Sequence, residues 1–186
     1  MPRLLPNECD SRIRSTWFWK TDNAGTVKSV DQLMNMYEQS LGCGAVMLLN
    51  NTPNRSGLIP VADAARSAEF GAEVKRRFGV ATADVAGTGR TTQVTIRTPT
   101  IVESIVSMED ISQGDRVRLY TIEALIDGQW KTISEESAIW HKKIDRITPT
   151  KVEAVRLVVQ KSVSEPVIRK LAVYQAVVHL ADTYGR

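Results

Sequence analysis

MLLNNTPNRSGLIP, residues 47–60, decides how the first half of the chain is read. A short apolar run stops in Asn50-Asn51-Thr52-Pro53, turns, and restarts at Leu58-Ile59-Pro60. AVMLL at 45–49 does not alternate and is too short for a helix, which suits a strand buried on both faces, as in a parallel sheet. Pro60 fits the opening of a helix that runs to about Arg77, with Ala64, Ala65, Ala68 and Val74 as packing positions and Gly79 as its stop. Upstream, Ser29-Val-Asp-Gln32 predicts a capping box, after which Val30, Leu33, Met34, Tyr37 and Leu41 fall on one helical face before Gly42. TWFWK at 16–20 reads as a further short strand. The order strand, helix, strand, helix is the unit of an α/β fold.

Beyond Gly79 the helical spacing disappears. VATADVAGTGR, residues 80–90, is small and turn-rich and reads as a linker into a second domain. Strand-like runs follow at about 92–97, 101–107, 117–126, 129–134, 138–145, 152–160 and 167–175, and Asp127-Gly128 permits the positive φ angles of a tight hairpin. Seven short strands with no helix between them predict an antiparallel β-sandwich. The expected domains are residues 1–79 and 80–186.

Composition narrows the functional classes. The 186 residues are 42% hydrophobic and carry a net charge of +3 with acids and bases interspersed, so neither nucleic acid nor an anionic membrane is an expected partner. Two cysteines and two histidines offer neither a disulfide framework nor zinc-ligand spacing, and no metal or cofactor is expected. MPRLLPNECD lacks the apolar core of a signal peptide, and no run approaches membrane-spanning length. Two strand-helix units cannot cover a parallel sheet alone. The expectation is a piece of a larger protein, or a chain that completes its sheet with a partner.

Six stretches carry a family resemblance in one order across residues 8–176. ECDSRIRSTWFWK, VKSVDQLMNMYEQSLG and MLLNNTPNRSGLIPVADAARSAEFG resemble the closing portion of the catalytic barrel of α-L-fucosidases, glycoside hydrolase family 29. SMEDISQGDRVRLYTIEAL with its DGQW hairpin, HKKIDRITP and KSVSEPVIRKLAVYQA resemble the C-terminal sandwich of the same enzymes. The resemblance implies an α/β fragment, the last strand-helix units of a TIM-type barrel, followed by an all-β galactose-binding-like or discoidin-like jelly roll. The strand ending in Asn50-Asn51-Thr52-Pro53 would then present polar groups at the active-site face of the barrel. Three departures stand out: Cys43 where the family commonly has Arg, Asn51 where an apolar residue is usual, and Trp140 where Gly is usual.

The implied activity is hydrolysis of terminal α-L-fucosyl groups by a retaining mechanism, which needs two carboxyl groups about 5–5.5 Å apart across the scissile bond. The family's nucleophilic Asp and usual acid/base Glu match nothing in this chain, so catalysis is assigned to none of its residues. Glu8 and Asp10 would project to one side of an extended segment, but with no opposing wall. The pattern E-x-D-x-x-I-R-x-x-W-F implies that Glu8, Arg14 and Trp17 hold the sugar, the indole packing on its C–H face and Arg donating to hydroxyls. The competing reading places Trp17, Phe18 and Trp19 in the barrel wall. In the sandwich, Trp130, Trp140 and His141 are carbohydrate-binding candidates, and Glu109, Asp110 and Asp115 lack the regular oxygen spacing of a calcium loop. The expected partners are a fucosylated glycan bound by the complete enzyme, and an upstream barrel portion or a homo-oligomer partner. The family is often secreted, periplasmic or lysosomal. A lectin-like binding module and a purely structural domain remain the alternative readings.

Overall fold

The computed structural model describes residues 7–176, and the chain divides into two compact units between Gly79 and Val80. In the N-terminal unit, strand β1 (Glu8–Arg12) pairs in parallel with β2 (Val46–Asn50). Helices α1 (Val30–Ser40) and α2 (Val61–Phe78) complete the unit. The capping box forms as expected: Gln32 N–H donates to Ser29 Oγ at 3.2 Å, and Ser29 N–H donates to Gln32 Oε1 at 2.9 Å. Leu33 and Met34 bury the inner face of α1.

Three expectations change here. Residues 16–20 are not a strand: β1 lies upstream, and TWFWK forms an irregular loop closed by its own polar side chains. Strand β2 is not covered on both faces, since Val46 and Leu48 are 42% and 54% exposed. Ala64, Ala65 and Ala68 are exposed; the residues that bury themselves on α2 are Asp63 and Arg77, because ion pairs rather than apolar contacts anchor this helix. Tyr37 nevertheless packs against Phe70 and Phe78, joining the two helices through aromatic rings.

The C-terminal unit is a six-stranded antiparallel sheet: β3 (Ala83–Thr88), β4 (Thr91–Glu109), β5 (Val117–Ile126), β6 (Gln129–Glu136), β7 (Lys143–Ser162) and β8 (Val167–Gln175). Their spatial order is β3-β8-β4-β7-β5-β6. The stretch read as a linker is therefore largely strand β3, whose exposure alternates and whose register with β8 shifts between Val85 and Gly87. Two pairs of expected short strands are single long ones. In β4 the ladder breaks between Thr95 and Thr100, and in β7 between Arg146 and Thr150. Pro99 and Pro149 sit in these breaks, where no ladder N–H is needed, so the strands bend without ending. Residues 138–142 lie in the loop before β7.

One hydrophobic cluster takes Val102 and Ile105 from β4, Tyr120 and Ile122 from β5, Leu157 from β7 and Leu171 from β8, with Val85 of β3 and Ile133 of β6 packed against it. All six strands serve one core, so the sheet wraps around it. Asp127 (φ 49°) and Gly128 (φ 71°) form the expected hairpin turn between β5 and β6. Among the described residues no helix is long and apolar enough to cross a membrane.

Candidate functional site

The stretch 50–60 explains itself in the structure. Asn54 Oδ1 accepts the N–H groups of Ser56 (2.9 Å) and Leu58 (3.1 Å), and Gly57 takes a φ of 77°, so the polar run is a side-chain-built turn leading into α2. This turn and the loop after β1 both leave the C-terminal ends of parallel strands. Between them lies an open cavity of 740 Å³. Trp17, Phe18 and Trp19 line one side, Asn50, Thr52, Pro53, Asn54 and Arg55 the other, with Lys20, Thr21 and Asp22 completing the wall. Thr52 ties the two loops together, its hydroxyl donating to the Trp17 carbonyl at 2.8 Å with the Asn50 amide 3.0 Å away.

Trp17, selected from the sequence, lines this cavity and is 42% exposed; Phe18 is 78% exposed. Within this chain neither of these two rings is enclosed, and Trp19 is half-buried. Arg12 places its guanidinium 5.7 Å from the Trp17 ring centroid.

Glu8 and Arg14 do not line the cavity. Glu8 opens β1, opposite Val46, so four steps along the strand, roughly 13 Å, separate it from Arg12 at the cavity end. It shares one face of the two-stranded sheet with Asp10, Arg12, Val46, Leu48 and Asn50. Two carboxylates on one face of one strand project the same way and cannot flank a bond between them. Arg14 is 2% exposed, and its Nε and Nη2 donate to the Asp63 carboxylate at 2.8–3.0 Å. Its donors face the protein interior rather than a sugar.

In the second unit the three candidates do not converge. Trp130 is the second residue of β6 and Trp140 lies four residues past its end; the strand from Trp130 to Glu136 alone spans roughly 20 Å. The Trp130 ring is already covered by Arg156, 4.2 Å from its centroid, and Arg156 is held by Glu123. Trp140 is 39% exposed and sits at φ 61°. His141 beside it is biased toward the neutral imidazole, its pKa lowered first by burial and then by Arg169 and Lys142. Glu109, Asp110 and Asp115 each have protein partners: Glu109 Oε1 accepts the Arg116 and Val117 N–H groups, Asp110 caps Ser112, and Asp115 pairs with Arg118.

Reading by motif missed Asn23 and Asp63, both hydrogen-bonded to Arg14, and Asp145 in the second unit. The Asp145 carboxyl is pushed up to about 6 by burial, against the opposing pull of Lys143 and of hydrogen bonds from Ser134 and Tyr120. Asp63 and Asp145 act through partners 49 and 11–25 positions away, and Asn23 through irregular loop contacts within nine residues, so no regular spacing marks them.

No family model matches the chain. An Oryza sativa subsp. japonica protein named "Putative alpha-L-fucosidase 1" is 25% identical over 206 residues, covering 91% of this chain and 39% of its own length. A Bacteroides thetaiotaomicron VPI-5482 structure described as a "putative alpha-L-fucosidase" superposes with a TM-score of 0.91 at 32% identity, over 93% of this chain and 41% of that one. A glycoside hydrolase 29 family member from an unknown rumen bacterium gives a TM-score of 0.85 at 30% identity, over 97% and 34%. The chain therefore spans about two fifths of the curated rice relative. Over most of its length the chain is a homologue of the α-L-fucosidases of glycoside hydrolase family 29.

Proposed function

We propose that this chain is the C-terminal portion of a retaining α-L-fucosidase, supplying the last strand-helix units of a TIM-type barrel and a discoidin-like, galactose-binding-like jelly roll. Its role in the complete enzyme is to furnish one wall of the pocket for a terminal α-L-fucosyl group. The observation that carries this reading is the cavity at the C-terminal ends of two parallel strands, lined by Trp17, Phe18 and Trp19. That end is where barrel enzymes assemble their sites. Indole and phenyl faces suit the C–H surface and methyl group of a 6-deoxy sugar, while Asn50, Asn54 and Thr52 offer hydrogen bonds to hydroxyls. Trp17 keeps its assignment as a sugar contact; Arg14 is reassigned to supporting the loop, and Glu8 to the sheet face below the cavity.

Alone, the chain does not hydrolyse fucosides, because Glu8 and Asp10 lie side by side on one strand and Asp22 has no opposed carboxyl partner among the cavity residues. The purified chain is expected to leave an aryl α-L-fucoside intact while methyl α-L-fucopyranoside perturbs Trp17 and Trp19 saturably. Turnover would overturn the non-catalytic assignment. Sugar-induced changes confined to Trp130 or Trp140 would favour a lectin-like module instead.

A further inference from the structure

Beneath the cavity wall lies a chain of buried polar groups that no surface function uses. Asp63, Arg14 and Asn23 are 0%, 2% and 5% exposed, and none of them lines the cavity. Asp63 sits in the first turn of α2, where the helix dipole favours a carboxylate, and takes both the Nε and Nη2 protons of Arg14. The remaining Nη1 of Arg14 donates to Asn23 Oδ1 at 2.5 Å. That contact orients the Asn23 amide, since an oxygen facing a guanidinium leaves the NH₂ pointing the other way. The NH₂ then reaches Thr16 Oγ1 (2.9 Å) and the Phe18 carbonyl (3.3 Å), while Oδ1 also receives the Lys20 N–H (3.3 Å). Thr16 closes the circuit by donating to the Phe18 carbonyl at 2.8 Å.

We propose that Asp63 is a positioning residue: through Arg14 and Asn23 it sets the shape of loop 15–22, and with it the placement of the Trp17, Phe18 and Trp19 rings that wall the cavity. The proposal deepens the sugar-wall reading and rests on it for its functional meaning. Asn23 grips residues 16, 18 and 20 by their polar groups, which leaves the aromatic side chains facing outward over the cavity. An apolar filler of similar volume would hold α2 in place at no greater cost, but it could not dictate which way the Asn23 amide points.

The test uses the 186-residue chain labelled with 5-fluorotryptophan, whose four tryptophans divide evenly between the units, so that Trp130 and Trp140 serve as internal references. In Asn23→Ala, which leaves the Arg14–Asp63 pair intact, the fluorine resonances of Trp17 and Trp19 are expected to shift or broaden. Those of Trp130 and Trp140 should stay fixed, and affinity for methyl α-L-fucopyranoside should fall about tenfold. The double variant Arg14→Met with Asp63→Met keeps the volume filled and should give the same loop change in a folded chain. Unmoved Trp17 and Trp19 resonances in both variants would overturn the proposal. If the unaltered chain shows no saturable response to the fucoside while Asn23→Ala still displaces both resonances, positioning stands and the sugar-wall reading falls.

Discussion

The two units are held together by different physics. In the C-terminal unit a continuous apolar core, drawn from every strand, buries Ile105, Tyr120, Ile122, Leu157, Leu171 and Val173 almost completely. The N-terminal unit buries only Ile13, Leu33, Met34 and Ala45 among its described hydrophobic residues, and its helix α2 is fastened instead by Arg14–Asp63 and by Arg77 paired to Glu73 and Glu38. Val46, Leu48, Leu58 and Val61 stay open to solvent. The contrast teaches that a self-contained core and a pocket wall demand different residues: one needs non-directional burial, the other fixed directions for loops and rings.

The sharpest way to break this comparison is to remove a charge. Asp63→Ala leaves the Arg14 guanidinium buried without its counter-ion, and it is expected to cost the N-terminal unit about 3–5 kcal/mol. Denaturant unfolding followed at Trp17 and Trp19 would record the loss, with Trp130 and Trp140 reporting an unaffected C-terminal unit. A loss below about 1 kcal/mol, the range of an exposed pair, would show that the pair is not the fastening described here. The matching deletion in the second unit is Leu157→Ala, at a site that is 0% exposed. It should cost about 3 kcal/mol through lost burial and a residual cavity, read at the opposite pair of tryptophans.

The parts of the fold that could be read from sequence are those set by local rules. Ser29 and Gln32 announce a capping box, Asp127-Gly128 a tight hairpin, and Leu33 and Met34 a buried helix face, and each feature lies where its pattern predicts. What escaped was set by partners remote in sequence. The runs at 92–97 and 101–107, and at 138–145 and 152–160, read as separate strands because only pairing with a distant strand shows that the chain continues through the ladder breaks that hold Pro99 and Pro149. Ala64, Ala65 and Ala68 suggested a packed face because small apolar residues fit one, yet the helix turns Asp63 inward to meet an arginine 49 positions away. Within the candidate site, one motif singled out Glu8, Arg14 and Trp17 alike; Trp17 lines the cavity, whereas the Arg14 guanidinium donates to buried Asp63, a partner the motif does not contain.

Acid separates the units in a second way. Asp145 is buried with a carboxyl pKa raised from 3.8 to about 6, so its ionised form destabilises the folded C-terminal unit. As pH falls from 7 toward 4 the folded state takes up a proton before the unfolded state does, and stability should rise by about 2 kcal/mol. Burial raises Glu109 in the same direction. Glu73 in the N-terminal unit is lowered from 4.5 to about 2, chiefly by its hydrogen bond from Arg76, with Arg77 adding to the effect. Its contribution is complete above pH 4.5 and disappears as pH drops toward 2. Mild acid should therefore strengthen the second unit before it weakens the first. Stability measured against pH in Asp145→Asn should show a flatter profile between pH 4 and 7; an unchanged slope would transfer the effect to Glu109.

The smallest expected effect concerns Trp140, where the sequence carries an aromatic residue in place of the family's usual glycine. Its φ of 61° lies in the left-handed region, which places Cβ against the backbone and disfavours any residue but glycine. The strain is accepted because the Trp140 carbonyl receives the Glu109 N–H at 3.0 Å, fixing the loop across the end of β4. Trp140→Gly keeps that hydrogen bond and relieves the Cβ contact, at the expense of backbone entropy and of whatever packing a 39% exposed indole supplies. The balance favours glycine by about 0.5–1 kcal/mol, seen as a raised midpoint for the C-terminal unit alone. A destabilised variant would mean that the indole contributes more by packing than its backbone loses by strain.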